Sequence, residues 1–403
     1  MPDSELRPIR PEEVDAHVDA TARAFYDELH PDARALWAAA CEPERTLDAF
    51  ADGEIVATSG LLSRELTVPG AVAPMAGVTS VGVRADHRRR GLLGRMMRGH
   101  LQAIHARGAE AVAALWASEA TLYGRYGFGI ATRCADLTVR SPAARVAADG
   151  ELPRPRIAAV DAARPQLAAI HDAVRPTWPG MLGRPASKWD SLLRDLEHER
   201  ADRSRLQAAL LDDGYAVFAV RRGQTDAGNP DSVVELRELL ARTPRAHAAL
   251  WSFLLGLELT RRVVWEEAPV DEPIVHRLTD ARAVSTTVFD ALWVRLVDVQ
   301  RALAQRTYLA PVDLVLEVAD AVCPHNAGRV RLTGDEHAGC CAPTTDPADL
   351  ALDVRELGAV YLGGTPLATL AAAGRVRELT PGALASADRA FRAAREPWCP
   401  EIF

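Results

Sequence analysis

The segment from Gly77 to Gly108 constrains the fold more than any other part of this chain. A β-rich run, GVTSVGV at 77–83, is followed by the loop DHRRRGLLG and then by a helix-forming run. The apolar side chains of that last run fall on one helical face: Leu92, Leu93, Met96, Met97, Leu101 and Ile104. Gly108 is a typical helix end. The order predicts a strand, a tight loop and an amphipathic helix that packs on a sheet.

The loop between these two elements is suited to an anion. At a helix N-terminus the backbone N–H groups are unpaired and the helix dipole is positive, which stabilises negative charge. Gly91 and Gly94 let a phosphate approach the backbone, and Arg88, Arg89 and Arg90 add charge-assisted hydrogen bonds. The loop matches neither a Walker A motif nor a Rossmann glycine fingerprint. Taken by itself, the arginine run is interpreted equally well as a solvated basic turn.

Composition limits the partners of the chain. It has 403 residues and a formal net charge of -8, which argues against nucleic acid or an anionic membrane as the main partner and suits a cationic substrate. The six cysteines show no Cys-x-x-Cys spacing, so neither a metal site nor a disulfide framework is predicted. The first residues are charged, and no apolar run reaches the ~20 residues of a membrane span. We therefore expect a cytoplasmic protein.

The secondary-structure pattern divides the chain into three parts. Residues 1–145 predict a helix, antiparallel strands and a strand–helix–strand unit that closes with a strand at 130–139. Residues 146–285 partly repeat this hairpin–strand–helix–strand order without the arginine loop. From 286 to 403 the pattern changes: 288–308 predicts one amphipathic helix, and 349–364 a strand followed by a helix. We expect an α+β protein with an apolar, docked C-terminus.

The order of VTSVGV, RRRGLLG, a helix, a strand and LYGRYGFG resembles the GNAT superfamily of N-acetyltransferases. In that superfamily an Arg-x-x-Gly-x-Gly/Ala loop holds the pyrophosphate of acetyl-CoA. Arg88 and Gly91 match the loop, whereas Leu93 stands where Gly or Ala is expected. The longer runs SVGVRADHRRRGLLGRMM and ASEATLYGRYGFGIATR, together with the terminal Phe403, are similar to the Eis (enhanced intracellular survival) family of actinobacterial acetyltransferases. The resemblance covers nearly the whole chain.

This resemblance implies a domain plan and a cofactor site. The expected domains are a catalytic GNAT domain at 1–145, a degenerate GNAT-like domain at 146–285 and a sterol-carrier-like domain at 286–403. Backbone groups of Val81, Gly82 and Val83 are expected to bind the pantetheine arm and acetyl carbonyl of acetyl-CoA, and Ser118 and Glu119 to line the cleft. The pyrophosphate is expected to lie against Arg88, Arg89, Arg90, Gly91, Leu92, Leu93 and Gly94. No metal is implied.

The resemblance also implies the groups that move protons. Tyr123 is the expected general acid and the C-terminal carboxylate of Phe403 the expected general base. Tyr126 competes with Tyr123, which is preferred because it stands four residues before Gly127. A phenol with a pKa of ~10 can protonate a thiolate. A carboxylate with a pKa of ~3.5 is a weak base for an ammonium group, so it acts either after desolvation or by holding the amine or a water molecule.

The family acetylates aminoglycosides at more than one amine and forms hexamers, so a polycationic acceptor and a homohexamer are implied here. Asp27, Glu28 and Glu401 are candidate acidic groups for such an acceptor, and Trp37 is a candidate apolar wall. Ordinary surface or packing roles suit each of these four residues as well. Two alternatives stay open. One is an enzyme of the same family with another acceptor, such as lysine side chains or polyamines, and the other is a non-catalytic lipid-binding protein.

Overall fold

The computed structural model describes residues 4–148 and 150–403. It contains two compact units, one formed by Met1–Thr132 with Ala291–Phe403 and the other by Arg133–Asp290. Within the described residues, no helix combines the length and the apolar character needed to cross a membrane. The predicted domain boundaries at 145 and 285 stay predictions, because the first compact unit combines the N-terminal and C-terminal parts of the chain and so does not test them.

The first unit contains a seven-stranded sheet, with strands and helices numbered here along the chain. Its strands are β1 (Glu5–Arg7), β2 (Asp48–Ala51), β3 (Glu54–Val68), β4 (Ala71–Val83), β5 (Val112–Trp116), β6 (Gly129–Ile130) and β14 (Leu292–Leu296). Their order in the sheet is β1-β2-β3-β4-β5-β14-β6. The helices of this part are α1 (Val14–Ala24), α2 (Pro31–Ala40), α3 (Leu92–Arg107) and α4 (Ala120–Tyr123).

Local sequence signals set several boundaries of this sheet. Asp52 and Gly53 have φ values of 52° and 82° and form the predicted two-residue turn between β2 and β3. The predicted helix α3 begins after Gly91 and ends at Gly108, which has the left-handed conformation expected there. The predicted apolar face of α3 is buried. These three predictions are confirmed.

Buried hydrogen bonds determine how α1 and α3 dock on the sheet. His17 Nδ1 lies 2.8 Å from Asp48 Oδ2, and His100 Nε2 lies 2.8 Å from Ser59 Oγ. Burial lowers the pKa of His100 to about 4, so its ring is neutral at neutral pH. Because a buried polar group without a partner costs about 1–3 kcal/mol, these bonds favour one docking arrangement of the two helices over others.

Two sequence predictions are wrong. The run at 130–139 does not close the first sheet as one strand: it supplies only β6, and β7 (Arg133–Arg140) belongs to the sheet of the second unit. Residues 288–308 are not one helix but form the end of β13 (Val284–Asp290), then β14 and α9 (Val299–Ala304). Every side chain of β14 is at most 1% exposed. Periodicity does not distinguish a strand buried on both faces from a buried helix.

The C-terminal part of the first unit has its own five-stranded sheet. Its strands are β15 (Val312–Ala319), β16 (Gly328–Gly334), β17 (Gly339–Pro343), β18 (Leu350–Asp353) and β19 (Val376–Glu378), in the order β17-β16-β15-β18-β19. Its helices are α9, α10 (Val354–Val360), α11 (Leu367–Ala372) and α12 (Ala383–Phe391). The predicted strand and helix at 349–364 are confirmed as β18 and α10. The chain end is docked as expected, because Trp398 and Cys399 are fully buried.

The second unit repeats the strand–helix–strand pattern of the first. Its sheet has the order β13-β7-β12-β11-β10-β9-β8. The elements not yet given are β8 (Arg156–Ala159), β9 (Gln207–Leu211), β10 (Gly214–Arg221), β11 (Ser232–Ala241), β12 (Thr260–Pro269), α5 (Val160–Val174), α6 (Ala186–Leu192), α7 (Pro244–Leu255) and α8 (Ile274–Arg277). The strands β11 and β12 are parallel and are joined by α7. The predicted internal repeat is therefore confirmed.

Candidate active site

The first sheet opens between its two parallel strands. β4 and β5 pair only where Met75–Gly77 lies beside Val112–Ala114. Beyond this point β4 continues to Val83 along β3, and β5 continues to Trp116 along β14. The two strands therefore separate at Gly77 and leave a cleft at their carboxyl ends. Such a position is where ligands bind in sheets with parallel strands.

A bulge in β4 borders this cleft. The register of β3 against β4 shifts between Thr58 and Gly60, so that one residue of β3 faces both Ser80 and Val81. Ser80 has a φ of 55°, and its carbonyl oxygen accepts a hydrogen bond of 2.8 Å from Thr58 Oγ1. A bulge leaves backbone groups unpaired. Peptide groups around Val81–Val83 are thus available to a ligand. The sequence reasoning missed Ser80, because only the small residues of GVTSVGV signal the bulge.

The loop that follows β4 leads into an open helix start. Gly91 precedes α3 with a φ of 78°, no side chain caps the helix, and a Cβ at this position would meet no atom within 4 Å. Arg88, Arg89 and Arg90 are exposed. Arg88 and Arg90 each donate a hydrogen bond to a backbone carbonyl group nearby, at 3.3 and 2.9 Å. Unpaired N–H donors beside three guanidinium groups fit a diphosphate.

Residues after Gly91 differ in what they offer a ligand. Leu92 is 3% exposed and packs in the core with Met96, so only its backbone can reach the loop. Leu93 is partly buried against the core. A Cβ at Gly94 would lie 3.4 Å from the hydroxyl oxygen of Tyr126, which therefore lies over the first turn of α3. Leu92 and Leu93 would therefore contact a pyrophosphate only through their backbone groups.

The equivalent helix start in the second unit is closed. Thr243 precedes α7, and its hydroxyl oxygen accepts a hydrogen bond of 3.1 Å from the backbone N–H of Ala246. A side-chain cap of this kind satisfies a donor that α3 leaves free. The start of α7 therefore lacks a free backbone donor that the start of α3 offers. This agrees with the absence of the arginine loop from its sequence.

The tyrosines follow β5 on α4 and on a 3-10 turn, Gly124–Tyr126. Tyr123 is 4% exposed, and its ring contacts that of Phe128 edge to face, with centroids 6.2 Å apart. Burial raises the pKa of Tyr123, while the Ser118 side chain opposes this shift. Ser118 and Glu119 precede α4 and are exposed. A phenol that stays protonated at pH values well above neutral is suited to act as a general acid.

Helix α10 packs directly behind this turn. A Cβ at Gly129 would lie 2.1 Å from the carbonyl oxygen of Arg355, and a Cβ at Gly358 would lie 2.2 Å from that of Val294. Backbones approach this closely only where side chains are absent. Helix α10 therefore packs closely on β6, which follows the turn, and on β14.

The last residue of the chain reaches the same cleft. A Cβ at Gly77 would lie 2.8 Å from Cε2 of Phe403, so the phenylalanine ring packs on the backbone where β4 and β5 separate. Trp398, Cys399 and Glu401 before it are buried. Phe403 is thus held at the edge of the cleft. The contact of Gly77 with Phe403 has no signal in the sequence.

The four candidate acceptor-binding residues lie in different surroundings. Asp27 and Glu28 are exposed just after α1, and the end of α1 contacts β4, since a Cβ at Gly82 would lie 2.6 Å from the Cβ of its last residue. Trp37 is 40% exposed on α2. Glu401 is only 2% exposed, so of its two ordinary alternatives the packing role agrees with the structure. Within residues 4–148 and 150–403, no cluster of His, Cys, Asp and Glu is arranged to hold a metal.

A parallel pair that separates just before a bulge, followed by an open helix start, defines an acyl-CoA-dependent transferase of the GNAT class. Residues 5–131 and 180–296 each match an acetyltransferase (GNAT) domain, and residues 299–400 match a sterol carrier protein domain. The expected fold class is therefore confirmed.

Whole-chain relatives narrow this class. The chain is 36% identical to the N-acetyltransferase Eis of Mycobacterium tuberculosis over 384 residues, which cover 92% of each protein. It is 42% identical to an uncharacterized N-acetyltransferase of Streptomyces avermitilis, over 99% of this chain and all of that protein. The crystal structure of Eis1 from Mycobacterium abscessus superposes with a TM-score of 0.87 at 32% identity, over 99% of this chain and all of Eis1. The chain belongs to the Eis family of N-acetyltransferases.

Proposed function

We propose that this N-acetyltransferase transfers the acetyl group of acetyl-CoA to amines of aminoglycoside-like polycations, at more than one position. The observation that supports this best is the packing of Phe403 on Gly77, where the two parallel strands separate. In this proposal the carboxylate of Phe403 lies near the cleft that the bulge of β4 borders. A carboxylate at this point suits an acceptor that arrives as an ammonium ion.

The residues that would hold acetyl-CoA are those of β4 and of the loop after it. Acetyl-CoA supplies an acetyl thioester when bound. Backbone groups of Val81–Val83 would bind the pantetheine arm, and N–H groups near the bulge would stabilise the oxyanion that develops on the acetyl carbonyl. The guanidinium groups of Arg88, Arg89 and Arg90 and the open start of α3 would bind the pyrophosphate. Ser118 and Glu119 would line the opposite wall.

Two groups of the chain would then move protons. Tyr123 would donate its hydroxyl proton to the thiolate that leaves when the carbon–sulfur bond breaks, and its raised pKa keeps that proton available. The carboxylate of Phe403 would hold the acceptor ammonium and take its proton, directly or through water. The acceptor nitrogen loses two protons as it forms its bond to the acetyl carbon and becomes an amide. The carboxylate takes the first and later releases it to solvent, and the second returns to the phenolate of Tyr123, directly or through water.

Acidic side chains support a polycationic acceptor. Asp27 and Glu28 are exposed beside β4, and Trp37 exposes part of an apolar ring. Glu401 is buried next to the chain end, so in this proposal its charge acts on the acceptor from beneath the surface. The proposal also includes a cytoplasmic location and a homohexamer. Light scattering during size-exclusion chromatography tests the homohexamer.

The deciding experiment measures CoA thiol release with a panel of acceptors. The panel contains tobramycin, kanamycin, spermidine and a lysine-containing peptide. We expect the highest kcat/KM with the aminoglycosides, and mass spectrometry should show products with more than one acetyl group. A clear preference for spermidine or the peptide would overturn the acceptor class. Absence of turnover with every amine would favour the lipid-binding alternative.

A further inference from the structure

A second cavity, of about 350 Å³, lies behind the 3-10 turn Gly124–Tyr126 that follows Tyr123. It is enclosed by this turn, by the loop after β15, by the start of α10 and by the loop before β19. Its charged lining consists of Arg125, Asp320, Asp353, Arg355, Glu356 and Arg375. All of these elements belong to the first compact unit. The cavity is not part of the acetyl-transfer site described above.

The acidic groups of this cavity already have partners. Asp320 Oδ2 accepts a hydrogen bond of 2.6 Å from Arg295, and Asp353 Oδ1 accepts one of 2.9 Å from the backbone N–H of Arg355. Among the residues that the structure describes, the guanidinium groups of Arg125 and Arg355 have no carboxylate partner. The cavity therefore presents two guanidinium groups with free N–H donors, beside one carboxylate, Asp353, whose partner is a neutral backbone N–H. This stands out in a chain whose formal net charge is -8.

Glu356 adds an independent feature. It is 3% exposed, and one of its oxygens, Oε1, lies 2.5 Å from Arg375. Its second oxygen, Oε2, is buried without a hydrogen-bond partner in the described part of the chain. A buried polar atom in this state lowers stability unless a donor is supplied. Glu356 lines the cavity, so a ligand that carries both acceptor oxygens and one hydroxyl hydrogen would pair with the arginines and, once the buried carboxylate rotates toward the cavity, with Glu356.

We propose that this cavity binds inorganic phosphate, with its oxygens on Arg125 and Arg355 and a P–OH group on Glu356. A planar guanidinium matches the oxygen spacing of phosphate. Arg125 belongs to the turn after Tyr123, and a Cβ at Gly124 would lie 2.9 Å from Cζ of Arg355. The bound phosphate joins α10 to that turn. This inference does not depend on the acceptor of the acetyl group.

Calorimetric titration with inorganic phosphate tests the proposal. The protein is saturated with CoA, so that the loop after β4 is occupied, and NaCl keeps the ionic strength constant. We expect one phosphate site, weakened about tenfold or more by Arg355→Ala and by Arg125→Ala, since each removes a charge-assisted hydrogen bond. Arg377→Ala is the matched control, because Arg377 lines a neighbouring cavity but not this one. An equal loss in Arg377→Ala, or no phosphate binding to the wild type, would overturn the proposal.

Sulfate provides a second arm of the same experiment. It matches phosphate in shape but carries no hydroxyl hydrogen at neutral pH, so Glu356 repels it. We expect the wild type to bind phosphate more tightly than sulfate, and Glu356→Gln to remove most of this preference. Equal affinity of the wild type for the two anions would contradict the role of Glu356.

Discussion

The substitution Gly77→Ala tests whether the last residue takes part in catalysis. The new Cβ would lie 2.8, 3.2 and 3.5 Å from three ring carbons of Phe403. Carbon atoms pack at about 3.5–4.0 Å, so the ring must move by about 1 Å. Phe403 is only half-buried and ends the chain, so it can move without disturbing the core. We therefore expect a loss of stability near the lower end of the ~1–3 kcal/mol typical of overpacking.

The effect on activity should be much larger than the effect on stability. A misplacement of ~1 Å at a reacting group can lower the rate about 100-fold. We expect kcat to fall by about this factor, with little change in CoA affinity. Initial rates of thiol release at saturating acetyl-CoA measure kcat, and calorimetry measures CoA binding. Thermal unfolding reports whether the fold is retained.

Two further variants separate the proposed cause from a general effect of an added methyl group. A Cβ at Gly60 on β3 would meet its nearest atoms at 3.8 and 3.9 Å, so Gly60→Ala should retain wild-type kcat. Phe403→Ala keeps the terminal carboxylate and removes the ring. In the Phe403→Ala variant, adding Gly77→Ala should lower kcat little further, because the ring that the new methyl group displaces is already absent. Wild-type kcat in a folded Gly77→Ala variant, or an equal loss in Gly60→Ala, would refute the reasoning.

Three other predictions follow from the site and its supports. Tyr123→Phe should lower kcat by about 10²–10⁴-fold without changing CoA affinity, and an equal loss in Tyr126→Phe would contradict the assignment of the acid. Gly91→Ala places a side chain at a φ of 78° at a cost of about 1–2 kcal/mol, and it should raise KM for acetyl-CoA more than it lowers kcat. The third concerns His100, whose pKa of about 4 lies below its ordinary 6.5. As the pH falls, His100 of the unfolded chain therefore takes up its proton before His100 of the folded chain does. Stability should fall by about 3 kcal/mol between pH 6.5 and 4 in urea denaturation, and His100→Gln should flatten this decline.

The sequence by itself determined the features that depend on neighbours along the chain. A two-residue turn at Asp52 and Gly53 needs only residues that tolerate positive φ, and Gly91 and Gly108 bound α3 for a similar reason. The three arginines next to Gly91 predict an anion-binding loop only together with the helix start, which supplies the unpaired N–H groups. Such signals are local, and they are legible before any tertiary contact forms.

The tertiary structure alone decided how distant segments meet. β14 enters the first sheet between β5 and β6, although its sequence is compatible with a helix, because burial on both faces removes any periodic pattern. The bulge at Ser80 arises from pairing with β3, and Phe403 packs on Gly77 across more than three hundred residues of chain. Glu401 is buried for the same reason, since the chain end docks in the core. These features depend on packing between segments far apart in sequence, which leaves no signal in the residues beside them.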